Sequence, residues 1–196
     1  MQNEGKPSLS KRLSASLRKN ERKVTEEATI DENKSKIKYF KQLGIDTTSL
    51  LNEINKNEEL RSKSENFLYE FLCAKFSPSK VRWLNKVNES YLDHDFEILD
   101  EAGNIQNIIE CKGTESNKPT FYMTSKEWNC FLANKEIYQV YRIFDIATKP
   151  DPMLIDNLLS WILKGYVVPY APDHQALFKN KIVLTIINSP FMQNGS

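Results

Sequence analysis

Residues 93–100 and 105–112 flank a turn at Gly103-Asn104, and that pairing constrains this chain more than any other feature in it. The turn residues and the apolar character of Phe96, Ile98, Leu99, Ile105, Ile108 and Ile109 predict two strands joined as an antiparallel hairpin. Side chains alternate across a strand, so Glu110 and Lys112 share one face while Ile109 and Cys111 share the other. A hairpin turning near Gly103 sets Asp95 across from the stretch between Glu110 and Lys112. Two carboxylates and one ammonium can then meet at one spot.

That set has a specific chemical use. Asp95 and Glu110, with the backbone carbonyl of Cys111, suit a hard cation that takes oxygen ligands, Mg²⁺ above all, with Mn²⁺ as a substitute. Lys112 can orient or deprotonate an attacking water and offset charge in a phosphodiester transition state. A Glu-x-Lys pair by itself is more often a charge pair on an exposed strand. Here Ile108-Ile109 directly precede it, which places the charges at the end of a core strand, where unpaired burial is costly.

The remaining pattern predicts an α/β (α+β) fold, one mixed sheet with helices on both faces. Residues 1–35 form a basic, Ser-rich arm, 36–58 a short helical lead-in with segments at Lys36–Leu43 and Thr48–Ile54, and 59–190 the main domain. Leu60, Phe67, Leu68, Phe71 and Leu72 recur at helical spacings within a helix over Glu59–Phe76, which Ser77-Pro78-Ser79 ends. Strands are expected over Val81–Val87, Phe121–Met123 (an edge), Ile137–Ile146 and Lys181–Ile187. Helices are expected from Thr124 to about Asn134, capped by a Thr-x-x-Glu box with Glu127, and over Met153–Leu163 up to Gly165.

The 196 residues allow one core plus a tail, and no apolar run approaches the roughly 20 residues that cross a bilayer. With no signal-peptide-like apolar stretch at the start, an intracellular protein without membrane association is the expectation, cytoplasmic, or nuclear in a eukaryote. Cys73, Cys111 and Cys130 are odd in number and far apart, which fits reduced thiols, and no CxxC or HxxxH cluster offers zinc spacing. Residues 1–40 hold ten basic against six acidic side chains, a balance of +4, and the remainder 17 against 20, or −3. The basic arm can add salt-sensitive affinity for phosphates, or simply be solvated.

Several segments together resemble a known group. Trp83-Leu84-Asn85 with Glu89-Ser90, His94-Asp95-Phe96, Ile108 to Thr114, Phe121 to Trp128 and Tyr138 to Ile143 are similar to the PD-(D/E)XK nuclease superfamily. More narrowly they resemble the C-terminal domain of NO VEIN-type proteins, over roughly residues 60–147. The resemblance implies a restriction-endonuclease-like sheet, metal ligation by Asp95 and Glu110, and water activation or charge stabilisation by Lys112. It further implies an accessory metal-binding acid on the first helix, Glu65, with Glu70 the competing residue. The superfamily's Pro before the Asp is His94 here, and Cys111 replaces the commoner Val.

Other positions carry weaker signals. Glu127 reads first as a helix cap and second as a catalytic acid. Thr114 and Lys118, just past the strand, can hold a backbone phosphate or line a solvated loop, and Arg142 can approach from the next strand. His94 is expected to face away from Asp95, as a core or surface histidine. The expected function is a metal-dependent nuclease acting on DNA rather than RNA, with restriction or defence and a homodimer or larger assembly implied by resemblance alone. The alternative is an inactive module of the same fold that binds nucleic acid or protein.

Overall fold

The computed structural model describes residues 38–39, 42, 44, 46–86, 92–170 and 181–187. The chain divides into two compact units, Met1–Asn52 with Asn85–Leu92, and Glu53–Leu84 with Asp93–Ser196. The arm over 1–35, most of the expected 36–43 helix, and Glu89-Ser90 lie outside the described residues.

The second unit is built on two sheets. Strands β1 (Val81–Trp83), β2 (Phe96–Leu99), β3 (Ile105–Gly113), β5 (Tyr138–Phe144) and β6 (Asp151–Ile155) make a five-stranded mixed sheet in the order β1-β2-β3-β5-β6. Only the central β3–β5 pair is parallel. Strands β4 (Thr120–Thr124), β7 (Val167–Tyr170) and β8 (Lys181–Ile186) form a separate antiparallel sheet in the order β4-β8-β7. The helices are α1 (Thr48–Phe76), α2 (Ser125–Ala133) and α3 (Leu158–Leu163).

Strand alternation sorts the sequence into two cores. Ile109, Cys111, Phe96, Ile98, Tyr141 and Ile143 face one way and pack with Leu68 and Leu72 of α1. Ile108, Tyr138, Val140 and Phe144 face the other, against Phe131 of α2, Leu158 and Trp161 of α3, and Phe121, Met123 and Leu184 of the small sheet. Glu110, Lys112 and Arg142 stand on this second side, because each is an even number of residues from Ile108 or Tyr138. The expected alternation is therefore the observed one, and the class is α+β.

Differences from the sequence reading have local causes. Thr48–Ile54 and Glu59–Phe76 are one 29-residue helix, since no Gly or Pro interrupts them. The hairpin forms with Phe96 opposite Ile109 and a register shift between Ile98 and Leu99, and Gly103 takes a φ of 81° in its turn. The expected strand over Val81–Val87 ends at Trp83, and a turn follows it. The helix expected over Met153–Leu163 is strand β6 followed by a short α3 capped by Asn157, whose side chain accepts from the Ser160 N–H at 2.8 Å. Pro152 is tolerated because β6 is an edge strand. The Phe121–Met123 edge strand exists, but in the small sheet, which also contains the unforeseen β7.

One close approach locks α1 onto β3. A Cβ placed on Gly113 would lie 1.8 Å from Ser64 Oγ and 2.6 Å from Ser64 Cβ. Ser64 is buried, with its hydroxyl donating to the Leu60 carbonyl at 2.7 Å. Gly113→Ala is expected to destabilise the fold by about 1–3 kcal/mol through overpacking. Adding Ser64→Gly should recover stability relative to the single Gly113→Ala variant, as measured by urea denaturation; an unchanged midpoint in Gly113→Ala would contradict the packing argument.

Candidate active site

Lys112 is the centre of the polar cluster at the end of β3. Its Nζ lies 2.6 Å from Glu110 Oε1 and 2.7 Å from Glu127 Oε2. Glu110 is on its own strand two residues back, and Glu127 comes from the first turn of α2. Asp95, just before β2, closes the group: its N–H donates to the Ile109 carbonyl at 3.1 Å, and its Oδ2 accepts from the Cys111 N–H at 2.8 Å. The hairpin register thus delivers Asp95 beside Glu110, and the alternation of β3 delivers Glu110 and Lys112 together.

Glu127 has two roles at once. Its backbone N–H donates to Thr124 Oγ1 at 3.2 Å and its Oε2 accepts from the Thr124 N–H at 3.1 Å, a complete capping box. The same Oε2 takes the Lys112 ammonium. The sequence reading favoured the cap over a place in the site, and the Thr-x-x-Glu signature is silent on the second contact because it depends on α2 lying over β3.

The electrostatics of the cluster are unbalanced. Three carboxylates, Asp95, Glu110 and Glu127, surround one ammonium, which leaves two negative charges uncompensated if all are ionised. Glu110 is buried, and its Oε2 has no hydrogen-bond partner. Burial first, and the neighbouring Asp95 charge second, push the Glu110 carboxyl well above its usual range. Burial alone would push Lys112 down, but Glu110, Glu127 and Asp95 outweigh it and raise its pKa, so it stays charged.

A divalent cation fits these residues. It would offset the surplus of negative charge and give the orphaned Glu110 Oε2 a partner, and oxygen donors are the ligands that Mg²⁺ and Mn²⁺ take. Without metal, Glu110 is a burden on folding. Its folded pKa lies above its unfolded value, so its contribution worsens as pH rises from the unfolded pKa through the folded one. Glu110→Gln in chelator is therefore expected to raise Tm by about 2–4 °C, roughly 1 kcal/mol for a chain of this length, with the gap widening as pH rises above the ordinary carboxylate range. Thermal melts showing a gap that narrows with pH would contradict this assignment.

The other expected site residues fall in different places. Glu65 is buried on α1, accepting from Trp83 Nε1 at 3.0 Å with Arg61 Nε at 3.7 Å, and its charge reaches the Cys111 thiol rather than heading the influences on Glu110. Glu70 is exposed on the same helix. The Cys111 side chain is buried in the α1-side core, and burial pushes its thiol up. Thr114 is half-buried, its carbonyl taking the Ile146 N–H, and Lys118 is exposed.

Arg142 is not placed to meet a substrate phosphate. It is 2% exposed, and its guanidinium donates to the carbonyls of Lys112 at 2.5 Å, Lys118 at 3.0 Å and Thr120 at 2.9 Å. It lies over the rings of Phe144 and Phe121, at 5.3 and 5.7 Å. Burial lowers its pKa to about 10, which still leaves it charged at neutral pH. Its work is to bind the end of β3 to the loop that leads into β4.

His94 also differs from expectation. It precedes β2, so strand alternation does not govern it, and it lies against α2, the helix that supplies Glu127. Its Nδ1 is 2.7 Å from Asp93 Oδ1 and 3.9 Å from Cys130 Sγ, and its Nε2 is 3.3 Å from Glu97 Oε1. Burial opposes charge on the ring, yet Asp93, Cys130 and Glu97 together raise its pKa to about 11.

Comparison with known proteins covers the same part of the chain. Residues 64–155 match the family model described as Protein NO VEIN, C-terminal. No curated protein and no solved structure matches the chain. The matched residues run from Ser64, against Gly113, to Ile155, the last residue of β6, and include all four members of the polar cluster. The segment that carries Asp95, Glu110, Lys112 and Glu127 is similar to the NO VEIN C-terminal family.

Proposed function

We propose that this chain carries a metal-dependent nuclease domain of PD-(D/E)XK type that hydrolyses phosphodiester bonds, with DNA as its substrate. The observation that carries the reading is the buried Glu110 Oε2, left without a partner beside Asp95 and Lys112. An acid in that state is costly, and active sites are where such costs are kept.

Asp95 and Glu110 would hold the cation, Mg²⁺ or Mn²⁺. When bound, it would supply a polarised water and charge neutralisation at the phosphoryl group. Lys112 keeps its proton under the pull of three carboxylates, so its role is that of a fixed cation facing the developing negative charge rather than that of a base. Glu127 holds the ammonium together with Glu110, and its own place is fixed by the helix cap. Arg142 fixes the backbone at Lys112 itself.

A second reading, an inactive module that binds nucleic acid or protein, draws on the −3 balance of residues 41–196, which argues against a broad basic groove. Incubation of the purified chain with labelled duplex and single strands separates the two. Products in Mg²⁺ that disappear in chelator support the nuclease; retention of the strands without cleavage in either condition supports the module.

A further inference from the structure

The Asp93, His94 and Cys130 side chains form a second cluster, separate in composition from the carboxylate site. Oxygen, nitrogen and sulfur ligand atoms from these three residues all lie within 4.8 Å of one another. Bond lengths of about 2.0–2.3 Å place the ligands of a tetrahedral zinc roughly 3.3–3.8 Å apart, so small side-chain adjustments bring this set to coordination distance. We propose that Asp93, His94 Nδ1 and Cys130 Sγ bind one Zn²⁺ ion.

The surroundings argue for a metal rather than for a chance contact. His94 Nδ1 faces Asp93 and Cys130, and its other ring nitrogen meets Glu97 Oε1 at 3.3 Å. A ligating histidine whose second nitrogen is held by a carboxylate is the usual outer arrangement of zinc sites. Glu97 is in turn held by Arg82 Nη1 at 2.5 Å, across the β1–β2 pair. Asn134 Nδ2 sits 3.6 Å from Cys130 Sγ, a donor toward a thiolate. The half-exposed Asp93 gives an entry path.

The placement gives the ion a purpose. Cys130 is one helical turn beyond Glu127, and His94 is next to Asp95. Zinc would tie the segment 93–95 to α2 and so set the separation of two members of the carboxylate cluster. The soft thiolate selects Zn²⁺ here, while the all-oxygen set next door suits Mg²⁺.

Titration of the metal-free chain with Co²⁺, a spectroscopic stand-in for zinc, tests this. A thiolate-to-cobalt charge-transfer band in the near ultraviolet should saturate at one equivalent and be displaced by Zn²⁺. The band should vanish in Cys130→Ser, weaken at least about tenfold in affinity in His94→Gln, and persist in Cys73→Ser and Glu110→Gln. Circular dichroism confirms that each variant is folded. Absence of the band in the wild-type chain, or its survival in folded Cys130→Ser, would overturn the proposal whether or not the nuclease reading holds.

Discussion

Lys112→Ala is expected to lower Mg²⁺-dependent cleavage by at least about 10²–10³-fold, the usual loss when a preorganised charge facing a transition state is removed. The ammonium is held by Glu110 at 2.6 Å and Glu127 at 2.7 Å, so it has one position rather than many. Truncating it removes the only cation among three acids, and ground-state metal affinity should be preserved or increased as repulsion with the ion is lost. A lower turnover number with unchanged or tighter Mn²⁺ binding is the signature. Loss of metal binding with full turnover at saturating metal would show that Lys112 organises the ligands instead. Glu127→Gln should lose less, because the amide oxygen still accepts from Lys112.

Arg142→Met should be the most destabilising single change in the unit, by about 3–5 kcal/mol. Three carbonyls, those of Lys112, Lys118 and Thr120, would lose a charged donor at once inside the protein. Met keeps much of the volume against Phe121 and Phe144, so the loss reports on the hydrogen bonds more than on a cavity. Arg142→Lys should fall between the two, since an ammonium lacks the planar fork that reaches several carbonyls. Chemical denaturation gives the ranking; an Arg142→Met midpoint near that of the wild type would contradict it.

The hairpin was legible because its signals are local. Gly103-Asn104 fixes the turn, the strand period fixes which residues share a face, and together they put Asp95, Glu110 and Lys112 at one place. Helix α2 was legible for the same reason, with its capping box and its end at Asn134. The small sheet was not, because β4 pairs with β8 some 60 residues later, Thr120 with Thr185, and such pairing leaves little trace in either segment. Met153–Leu163 misled because its apolar spacing suits a helix while its first residues are claimed by the edge of β5. Arg142 read as a basic residue near a site, and only the packing of β5 beneath the β3–β4 loop shows its charge spent on carbonyls. The contacts of His94 with Cys130 join residues 36 positions apart, beyond the reach of any spacing rule.

The most direct test compares nicking of supercoiled plasmid by the wild-type chain and by Asp95→Ala, in Mn²⁺, at matched concentration and with both confirmed as folded. Cleavage by the wild type that falls to background in Asp95→Ala is the predicted result. Equal nicking by both, or none by either while Mn²⁺ leaves the melting temperature unmoved, would contradict a metal-dependent nuclease centred on Asp95, Glu110 and Lys112.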